Sequence, residues 1–215
     1  HEAIEITVTK QLGMHALARC SYKTGDLVLS EAALIRIPEM SRDMRGRLER
    51  RFGDRSPFLA PAVSVDWKGV SEDERKASLS LFWAHPLMTK PSSPLVRENR
   101  QVCSEIKDFH EPLREWDAKD LMKFLHIVDL NLHKDDETTG HSGFNGIFVL
   151  GSKFSHSCAP NCAWSFNDEG SLQYHAVRPI QAGDLFTFSY VGNGMNLITS
   201  TLDRRQRLGS LWFIC

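Results

Sequence analysis

A chain of 215 residues, 41% of them hydrophobic, can bury a sizeable core, and this length fits one domain with an insertion better than two independent domains. Its 26 lysines and arginines are balanced by 27 aspartates and glutamates, so no bulk positive field favours direct contact with nucleic acid. The apolar runs are far shorter than a membrane span, and five irregularly spaced cysteines argue against a secreted disulfide framework, so we expect a soluble intracellular protein with reduced thiols.

The N-terminal stretch favours β-strands. Residues 4–8 alternate between apolar and polar side chains, and short strand-like segments follow at 17–19 and 27–30. Residues 23–26, Lys-Thr-Gly-Asp, have the composition of a turn. We predict a small β meander.

From residue 41 to about 134 the apolar residues recur at helical spacing. Ser71 and Glu74 form a capping-box pattern, which predicts a helix that continues through residues 79–83 and ends at Pro86. Residues 91–94, Pro-Ser-Ser-Pro, are typical of a linker.

Asp117 is a predicted N-cap for a second strong helix. Its apolar residues follow one face, which predicts packing against a core. They are Leu121, Phe124, Leu125, Val128 and Leu132.

After a polar, glycine-bearing segment at 135–143, predicted to be a mobile loop, β signals return. Predicted strands cover 148–150, 163–166, 172–177 and 186–190, with turns at 167–170 and 181–184. The order is β, helical insertion, β. We therefore predict a mainly β fold with a helical insertion, of the α+β class.

Residues 154–162, Phe-Ser-His-Ser-Cys-Ala-Pro-Asn-Cys, are by themselves consistent with an ordinary polar turn before a strand. Arg-Pro-Ile-Gln-Ala-Gly-Asp follows at 178–184, and Phe-Ser-Tyr at 188–190. In order and spacing these segments resemble the signature of SET-domain lysine methyltransferases. That signature is an Asn-His-Ser-Cys-x-Pro-Asn turn, an Ile-x-x-Gly-Asp/Glu element, and a strand ending in Ser-Tyr.

Two further segments extend the resemblance to residues 4–40 and 125–215. Residues 13–18, with Glu31 behind them, are similar to the family's opening Gly-x-Gly-x-x-Ala element. The tail at 204–215 is similar to the end of the subfamily that usually also carries a MYND zinc finger. No MYND finger is present in this sequence, because the interval between its first two cysteines is long and cysteine-free.

The resemblance implies a SET fold of short antiparallel sheets, in which the turn at 155–161 tucks beneath another loop in a pseudoknot-like arrangement. It also implies four segments. They are an N-terminal part of the SET domain at 1–40, the helical insertion at 41–134, a C-terminal catalytic part at 135–200, and the start of a truncated post-SET segment at 201–215.

The activity implied is transfer of a methyl group from S-adenosylmethionine to the side-chain nitrogen of a protein lysine, in a histone or another protein. Tyr190 matches the catalytic tyrosine whose hydroxyl lies at the transfer point, although a buried tyrosine at a strand end is commonly just a packed ring. The residues implied to bind the cofactor are Met14, His15, Asn131, Ser155, His156, Tyr190 and Phe213. His156 is expected to contact adenine mainly through its backbone.

Two of these positions depart from the family pattern. His15 replaces the second glycine, and either crowds the cofactor, follows a different loop path, or is a surface residue without a role. Ser155 replaces an asparagine, which removes an amide that both donates and accepts. Trp164, Phe186 and Phe188 are candidate walls of a lysine channel, with ordinary core packing as the alternative.

Cys158 matches a family position that supplies one thiolate to a structural zinc, and Cys215 matches the first of three further cysteines. Two thiolates do not make the closed four-ligand site that zinc prefers. We therefore expect no ordered zinc in this chain, with a possible structural zinc in a longer protein only.

The expected partner is a protein lysine, with no nucleic acid and no membrane, and the expected form is a monomer in the nucleus or the cytoplasm. Because of His15 and Ser155, a second hypothesis is a catalytically degenerate SET scaffold that binds a protein partner. A third is methyl transfer to a small-molecule amine.

Overall fold

The computed structural model describes residues 2–10, 12–81, 94–134, 144–192 and 199–210. In chain order the strands are β1 (Ile4–Thr9), β2 (Gly13–Ala18), β3 (Leu27–Glu31), β4 (Ile35–Arg36), β5 (His133–Lys134), β6 (Asn145–Ile147), β7 (Ser155–His156), β8 (Cys162–Phe166), β9 (Leu172–Ala176) and β10 (Thr187–Phe188). The α-helices are α1 (Arg42–Phe52), α2 (Ser56–Ser64), α3 (Glu72–Ser78), α4 (Pro94–Phe109), α5 (Ala118–Asn131) and α6 (Thr201–Ser210). None of the described helices is long and apolar enough to cross a membrane.

The chain forms two compact units, one of residues 33–148 and one of residues 1–32 with 149–215. The first unit contains α1 to α5 and a small antiparallel sheet of order β4-β6-β5. Its core is built by the apolar face of α5 and by the tryptophan Trp116 beside it, both fully buried. The predicted α+β class, with short antiparallel sheets and a helical insertion, is confirmed.

Local capping signals in this unit are observed as predicted. The Asp117 carboxylate accepts from the N–H groups of Lys119 and Asp120 at the start of α5. Ser71 and Glu74 form the full capping box of α3. These side chains satisfy N–H groups that a helix cannot pair internally.

The predicted length of the helix after Ser71 is wrong. Helix α3 ends at Ser78 instead of running through residues 79–83, and residues 82–93 lie outside the described part of the chain. The hydroxyls of Ser78 and Ser80 donate to the carbonyls of Arg75 and Ala77. Serine hydroxyls that bond nearby carbonyls compete with helix propagation, which explains the early end.

The second unit contains β1–β2, an antiparallel hairpin, and a three-stranded antiparallel sheet of order β3-β9-β8. It also contains a parallel pair of β7 and β10, in which Ser155 is opposite Thr187 and His156 is opposite Phe188. This pair joins the predicted motif turn to the segment that ends in Tyr190. Two chain segments about 30 residues apart are thereby held side by side.

The strand predicted at 148–150 is wrong. Strand β6 ends at Ile147, and the backbone N–H groups of Val149 and Leu150 donate to the carboxylate of Glu31 instead of to a neighbouring strand. An apolar run does not reveal that its backbone donors are taken by a side chain far away in sequence. The mobile loop predicted at 135–143 lies outside the described residues.

Candidate active site

The motif turn is fastened to the strand that precedes Tyr190 by main-chain hydrogen bonds. The N–H of Ser155 donates to the carbonyl of Phe186 over 3.0 Å, and the N–H of Ser157 donates to the carbonyl of Phe188 over 2.9 Å. These bonds extend the short β7–β10 pairing on both sides. The turn and the tyrosine segment therefore form one hydrogen-bonded structure.

Asn161 closes the other end of the turn. Its side-chain amide donates to the carbonyl of Leu185 over 2.8 Å, and its side-chain oxygen accepts from the N–H and the hydroxyl of Thr187 at 2.8 and 3.0 Å. Asn161 and Thr187 are both buried. Because every one of these partners belongs to the segment before Tyr190, Asn161 fixes the turn to that segment at a second place.

Tyr190 is held at both ends by the turn. Its hydroxyl donates to the carbonyl of Phe154 over 2.9 Å, and its backbone N–H donates to Nδ1 of His156 over 3.0 Å. The ring packs against the ring of Phe188 with centroids 4.9 Å apart, yet the residue is 37% exposed. Burial of the hydroxyl end raises the pKa of Tyr190 to about 12. The phenol is thus a fixed, protonated group whose O–H is donated to the Phe154 carbonyl.

The geometry also assigns the tautomer of His156. Since Nδ1 accepts from the Tyr190 N–H, the ring proton lies on Nε2, which is 3.3 Å from the sulfur of Cys158. Burial lowers the pKa of His156 below its ordinary value of 6.5, so the ring is neutral at neutral pH. The sequence prediction gave the contact role to the backbone of His156. The structure shows in addition that the ring holds Tyr190.

The N-terminal hairpin joins the same structure through the backbone of Phe186. The N–H of Phe186 donates to the carbonyl of Ala16 over 3.0 Å, while the carbonyl of Phe186 accepts from Ser155. Strand β2, the segment at 185–186 and strand β7 therefore lie side by side. Elements from the two ends of the chain meet at Phe186.

Strand β2 places Met14 and His15 on opposite faces, since neighbouring strand residues alternate. Met14 is 50% exposed and opposite Val8, whereas His15 is buried, with Nδ1 3.0 Å from the carbonyl of Gly13. The alternative of a surface histidine is therefore wrong. Gly13 has a positive φ of 66°, which a glycine adopts without strain, while His15 lies within a regular strand.

Of the three aromatic residues proposed as channel walls, Phe186 and Phe188 are buried and Trp164 is half-buried. Phe186 is fully buried and stacked on Phe154 with centroids 4.9 Å apart. Phe188 is 9% exposed and lies between the rings of Tyr174 and Tyr190. Of these three residues, Phe188 is the one whose ring contacts the ring of Tyr190 in the described part of the chain.

Three predicted site residues remain, and none of them lies in the described part of the unit that contains Tyr190. Asn131 is the last residue of α5, in the unit of residues 33–148, where it is buried and its amide donates to the carbonyl of Ile127 over 2.8 Å. Phe213 and Cys215 lie outside the described residues.

A zinc site is not complete in the described residues. Cys158 is half-buried beside His156, and within the described ranges no group of three or more histidine, cysteine or acidic side chains could hold a metal ion. Structural zinc takes four ligands. The predicted pair of Cys158 and Cys215 stays a prediction.

The side chains of this unit are better suited to an organic cofactor than to a metal ion. The half-exposed side chain of Met14 is apolar and flexible, and the aromatic ring of the partly exposed Tyr190 is of a kind that attracts a positive charge. The neutral His156 ring lies 5.3 Å from that of Tyr190, centroid to centroid. These groups fit a donor that combines an apolar base with a cationic centre.

Sequence reasoning missed the role of Glu31. Its carboxylate accepts three consecutive backbone N–H groups, from Val149, Leu150 and Gly151. An acidic residue at the end of an apolar run was the signal in the sequence, but nothing local indicated its partners.

Comparison with known families matches the SET domain model to residues 13–191 of the chain. Histone-lysine N-methyltransferase set5 of Schizosaccharomyces pombe is 39% identical over 191 residues, which cover 88% of this chain and 42% of that protein. A SET and MYND domain-containing protein of Dictyostelium discoideum is 31% identical over 88 residues, or 40% of this chain and 24% of that protein. The chain thus spans less than half of the length of these curated relatives.

Among solved structures, the SET domain of LSMT bound to lysine and AdoHcy aligns with a TM-score of 0.50 at 12% sequence identity. The alignment covers 94% of this chain and 54% of that one. At this identity the similarity supports the fold.

Proposed function

The chain belongs to the SET domain family, and from that premise we propose that it is an S-adenosylmethionine-dependent methyltransferase that methylates the side-chain amine of a protein lysine. The observation that carries the proposal is the fixing of Tyr190. Its hydroxyl and its backbone N–H are bound by two residues of one turn, and the residue is 37% exposed.

S-adenosylmethionine, when bound, supplies a methyl group on a positively charged sulfur. Transfer of that methyl group to an amine would require the donor and the amine nitrogen to lie in line, so the protein must align the two. Tyr190 suits this task because its hydroxyl is held 2.9 Å from the Phe154 carbonyl. A fixed phenol orients an incoming polar group without reorganising during the reaction.

The lysine must lose its proton before it can react. With an ordinary pKa near 10.4, only about one lysine in two or three thousand is neutral at pH 7. A shift of roughly three units, worth about 4 kcal/mol, brings the amine into range. The surroundings of Tyr190 favour the neutral form, because Phe188 and the uncharged ring of His156 are its neighbours.

Tyr190 is not proposed as the base. Since burial raises its pKa to about 12, the phenol keeps its proton over the working range of pH. The proton of the lysine ammonium is proposed to leave to solvent, and the positive charge of the bound sulfonium disfavours the ammonium further.

We assign the cofactor contacts to the residues that the family pattern indicates. Met14 is proposed to cover the cofactor with its exposed side chain, and Ser155 and His156 to meet it through the turn. Asn131 and Phe213 are assigned by the resemblance, as is the contribution of His15. In this assignment Tyr190 contacts both the cofactor methyl and the lysine amine.

The experiment that tests the function is calorimetry with S-adenosylhomocysteine, followed by methylation of a lysine peptide library with radiolabelled S-adenosylmethionine. We expect binding in the micromolar range and transfer to lysine that Tyr190→Phe suppresses. Absence of binding at millimolar ligand would contradict the proposal. Transfer to small amines but to no peptide would favour the small-molecule alternative.

The buried position of His15 motivates a second candidate function. A histidine ring packed where the family has glycine is compatible with a scaffold that binds a protein partner without turnover. The double variant His15→Gly with Ser155→Asn separates the two functions. If this variant binds S-adenosylhomocysteine and the parent does not, the scaffold hypothesis is correct.

The proposed partner is a lysine-bearing protein, with a histone or another nuclear or cytoplasmic protein as the substrate. The chain is proposed to act as a monomer without a nucleic-acid partner. Peptide arrays of histone tails and a set of unrelated lysine peptides, compared by kcat/KM, test the substrate class.

A further inference from the structure

Glu31, the last residue of β3, binds three consecutive main-chain donors with one carboxylate. One carboxylate oxygen accepts from Val149 at 2.8 Å and Leu150 at 3.0 Å, and the other accepts from Leu150 at 3.2 Å and Gly151 at 2.9 Å. Charge-assisted bonds of this kind are about twice as strong as neutral ones. A side chain is thus fixed to a segment about 120 residues away.

The three donors lead into a short 3₁₀ helix at Gly151–Lys153, of which Gly151 is the first residue and Leu150 the N-cap. This helix has no capping side chain of its own, so Glu31 supplies the acceptor that its first N–H groups need. Inside it, the N–H of Lys153 donates to the carbonyl of Leu150 over 2.9 Å. The path of the backbone through these residues is therefore set from Glu31.

Phe154 follows the 3₁₀ helix directly, and its carbonyl is the acceptor of the Tyr190 hydroxyl. The N–H of Phe154 donates to the carbonyl of Gly151, and its ring is fully buried against Phe186. Gly151, whose N–H donates to Glu31, is only three positions before Phe154, whose carbonyl holds the phenol. A displacement at Gly151 would reach that carbonyl.

We propose that Glu31 is a positioning residue that fixes the Tyr190 hydroxyl through the 3₁₀ helix and the Phe154 carbonyl. The consequence for methyl transfer rests on the proposed function of Tyr190. Glu31 acts at a distance and does not contact the reacting groups in this proposal. Misplacing a reacting group by about 1 Å can reduce a rate by about a hundredfold, which gives such a residue a measurable effect.

Lys153 gives a second reason to expect a defined arrangement here. It is only 8% exposed, and burial lowers its pKa while the negative charge of Glu31 raises it. The carboxylate therefore supports a buried cation at the other end of the same 3₁₀ helix.

The variant Glu31→Gln tests the proposal in the whole chain. It keeps the shape but replaces one oxygen by an NH₂ group that faces at least one backbone donor. We expect kcat with peptide substrate to fall about 10- to 100-fold and KM for peptide and for S-adenosylmethionine to change less than about twofold. Glu31→Asp keeps the charge on a shorter side chain, and we expect its kcat to lie between those of the parent and Glu31→Gln. Glu31→Asp is used in place of Glu31→Gln if that variant does not fold.

The matched control is Glu169→Gln, which changes an exposed glutamate in the turn between β8 and β9. It should leave kcat and KM as in the parent.

A spectroscopic measurement makes the test independent of turnover. The chain has three tyrosines, so labelling with 3-fluorotyrosine gives three ¹⁹F resonances, of which Tyr190 is assigned with Tyr190→Phe. We expect the Tyr190 resonance to move in Glu31→Gln and to stay in Glu169→Gln. Tyr22 is the internal reference, because Tyr174 itself feels the charge of Glu31.

An unmoved Tyr190 resonance in a folded Glu31 variant overturns the proposal, as does an unchanged kcat well below the unfolding temperature. A parent chain that neither binds S-adenosylhomocysteine nor methylates any amine is a failure of the proposed function. In that case the ¹⁹F shift alone still decides whether Glu31 positions Tyr190.

Discussion

The backbone N–H of Tyr190 donates to Nδ1 of His156 over 3.0 Å, and the two rings lie 5.3 Å apart. This bond requires a neutral imidazole whose Nδ1 carries no proton. Protonation of His156 therefore breaks the contact that fixes the main chain of the candidate catalytic tyrosine. A pH dependence of both stability and activity follows from it.

Burial lowers the pKa of His156 from 6.5 in the folded chain. A histidine with a lowered folded-state pKa stabilises the fold fully above its unfolded pKa, and this contribution is lost as the pH falls through the folded-state value. We expect the contribution of His156 to the free energy of unfolding to be constant above about pH 6.5 and to decline below that pH. Urea unfolding at a series of pH values measures the decline.

The control is His156→Asn, which offers an amide oxygen near the place of Nδ1 but does not titrate. His110, His126 and His133 have lowered pKa values too, so the informative quantity is the difference between parent and variant. A parent and a variant that lose stability in parallel between pH 7 and 5 would exclude this role of His156.

Tyr190→Phe removes the hydroxyl that donates to the Phe154 carbonyl. We expect kcat to fall about 100- to 1000-fold, the range for loss of one fixed polar group at a reacting centre, while the affinity for S-adenosylhomocysteine changes less than about threefold. The free energy of unfolding should fall by about 1 kcal/mol, the usual net value of one hydrogen bond. Peptide methylation kinetics and calorimetry give these quantities.

Tyr22→Phe is the matched control, since it removes another buried tyrosine hydroxyl of the same unit. It should alter stability slightly and leave kcat as in the parent. Equal kinetic losses in both variants would mean that the effect of Tyr190→Phe arises from the fold and not from the position of its hydroxyl.

The sequence was sufficient where the signal is local. Asp117 and the Ser71–Glu74 pair cap helices within three residues, so the pattern itself contains the interaction. Strand β9 was recognisable because its alternation reflects a buried and a less buried face. The length of α3 was not recognisable, because serine hydroxyls compete with the helix after Ser78.

The site was predicted as a set of positions, and its contacts could not be predicted. The motif pointed to Tyr190 and His156, yet the bond between the main chain of one and the ring of the other joins residues 34 positions apart. The hydrogen bond from the N–H of Val149 to Glu31 joins residues 118 positions apart, and it takes a backbone donor that the strand expected at 148–150 would have used. The periodicity of apolar residues indicates which side chains are buried, and it does not indicate the hydrogen-bond partners of a particular carboxylate.

Asn161→Ala removes a side chain that makes three hydrogen bonds in a buried position. The carbonyl of Leu185 and the N–H of Thr187 would lose this partner, and each unpaired buried group costs about 1–3 kcal/mol. We expect the free energy of unfolding to fall by about 2–4 kcal/mol in chemical denaturation.

Asn167→Ala is the comparison for this change, because Asn167 also accepts two backbone N–H groups but does so in a surface turn. It should cost about 1 kcal/mol or less, since water can replace an exposed partner. Equal losses in the two variants would show that Asn161 has no special role in joining the turn to the segment before Tyr190.

His15→Gly separates the structural from the cofactor role of this position. His15 is 4% exposed in the middle of β2, so its removal leaves a cavity and places a glycine inside a strand. We expect a loss of about 2–4 kcal/mol in the free energy of unfolding. Met14→Gly, on the opposite and half-exposed face, should cost about 1 kcal/mol. If His15→Gly is as stable as the parent and binds S-adenosylhomocysteine more tightly, the ring obstructs the cofactor and its packing is incidental. If stability falls and affinity is unchanged, His15 serves the fold, and its departure from the family pattern has no bearing on catalysis.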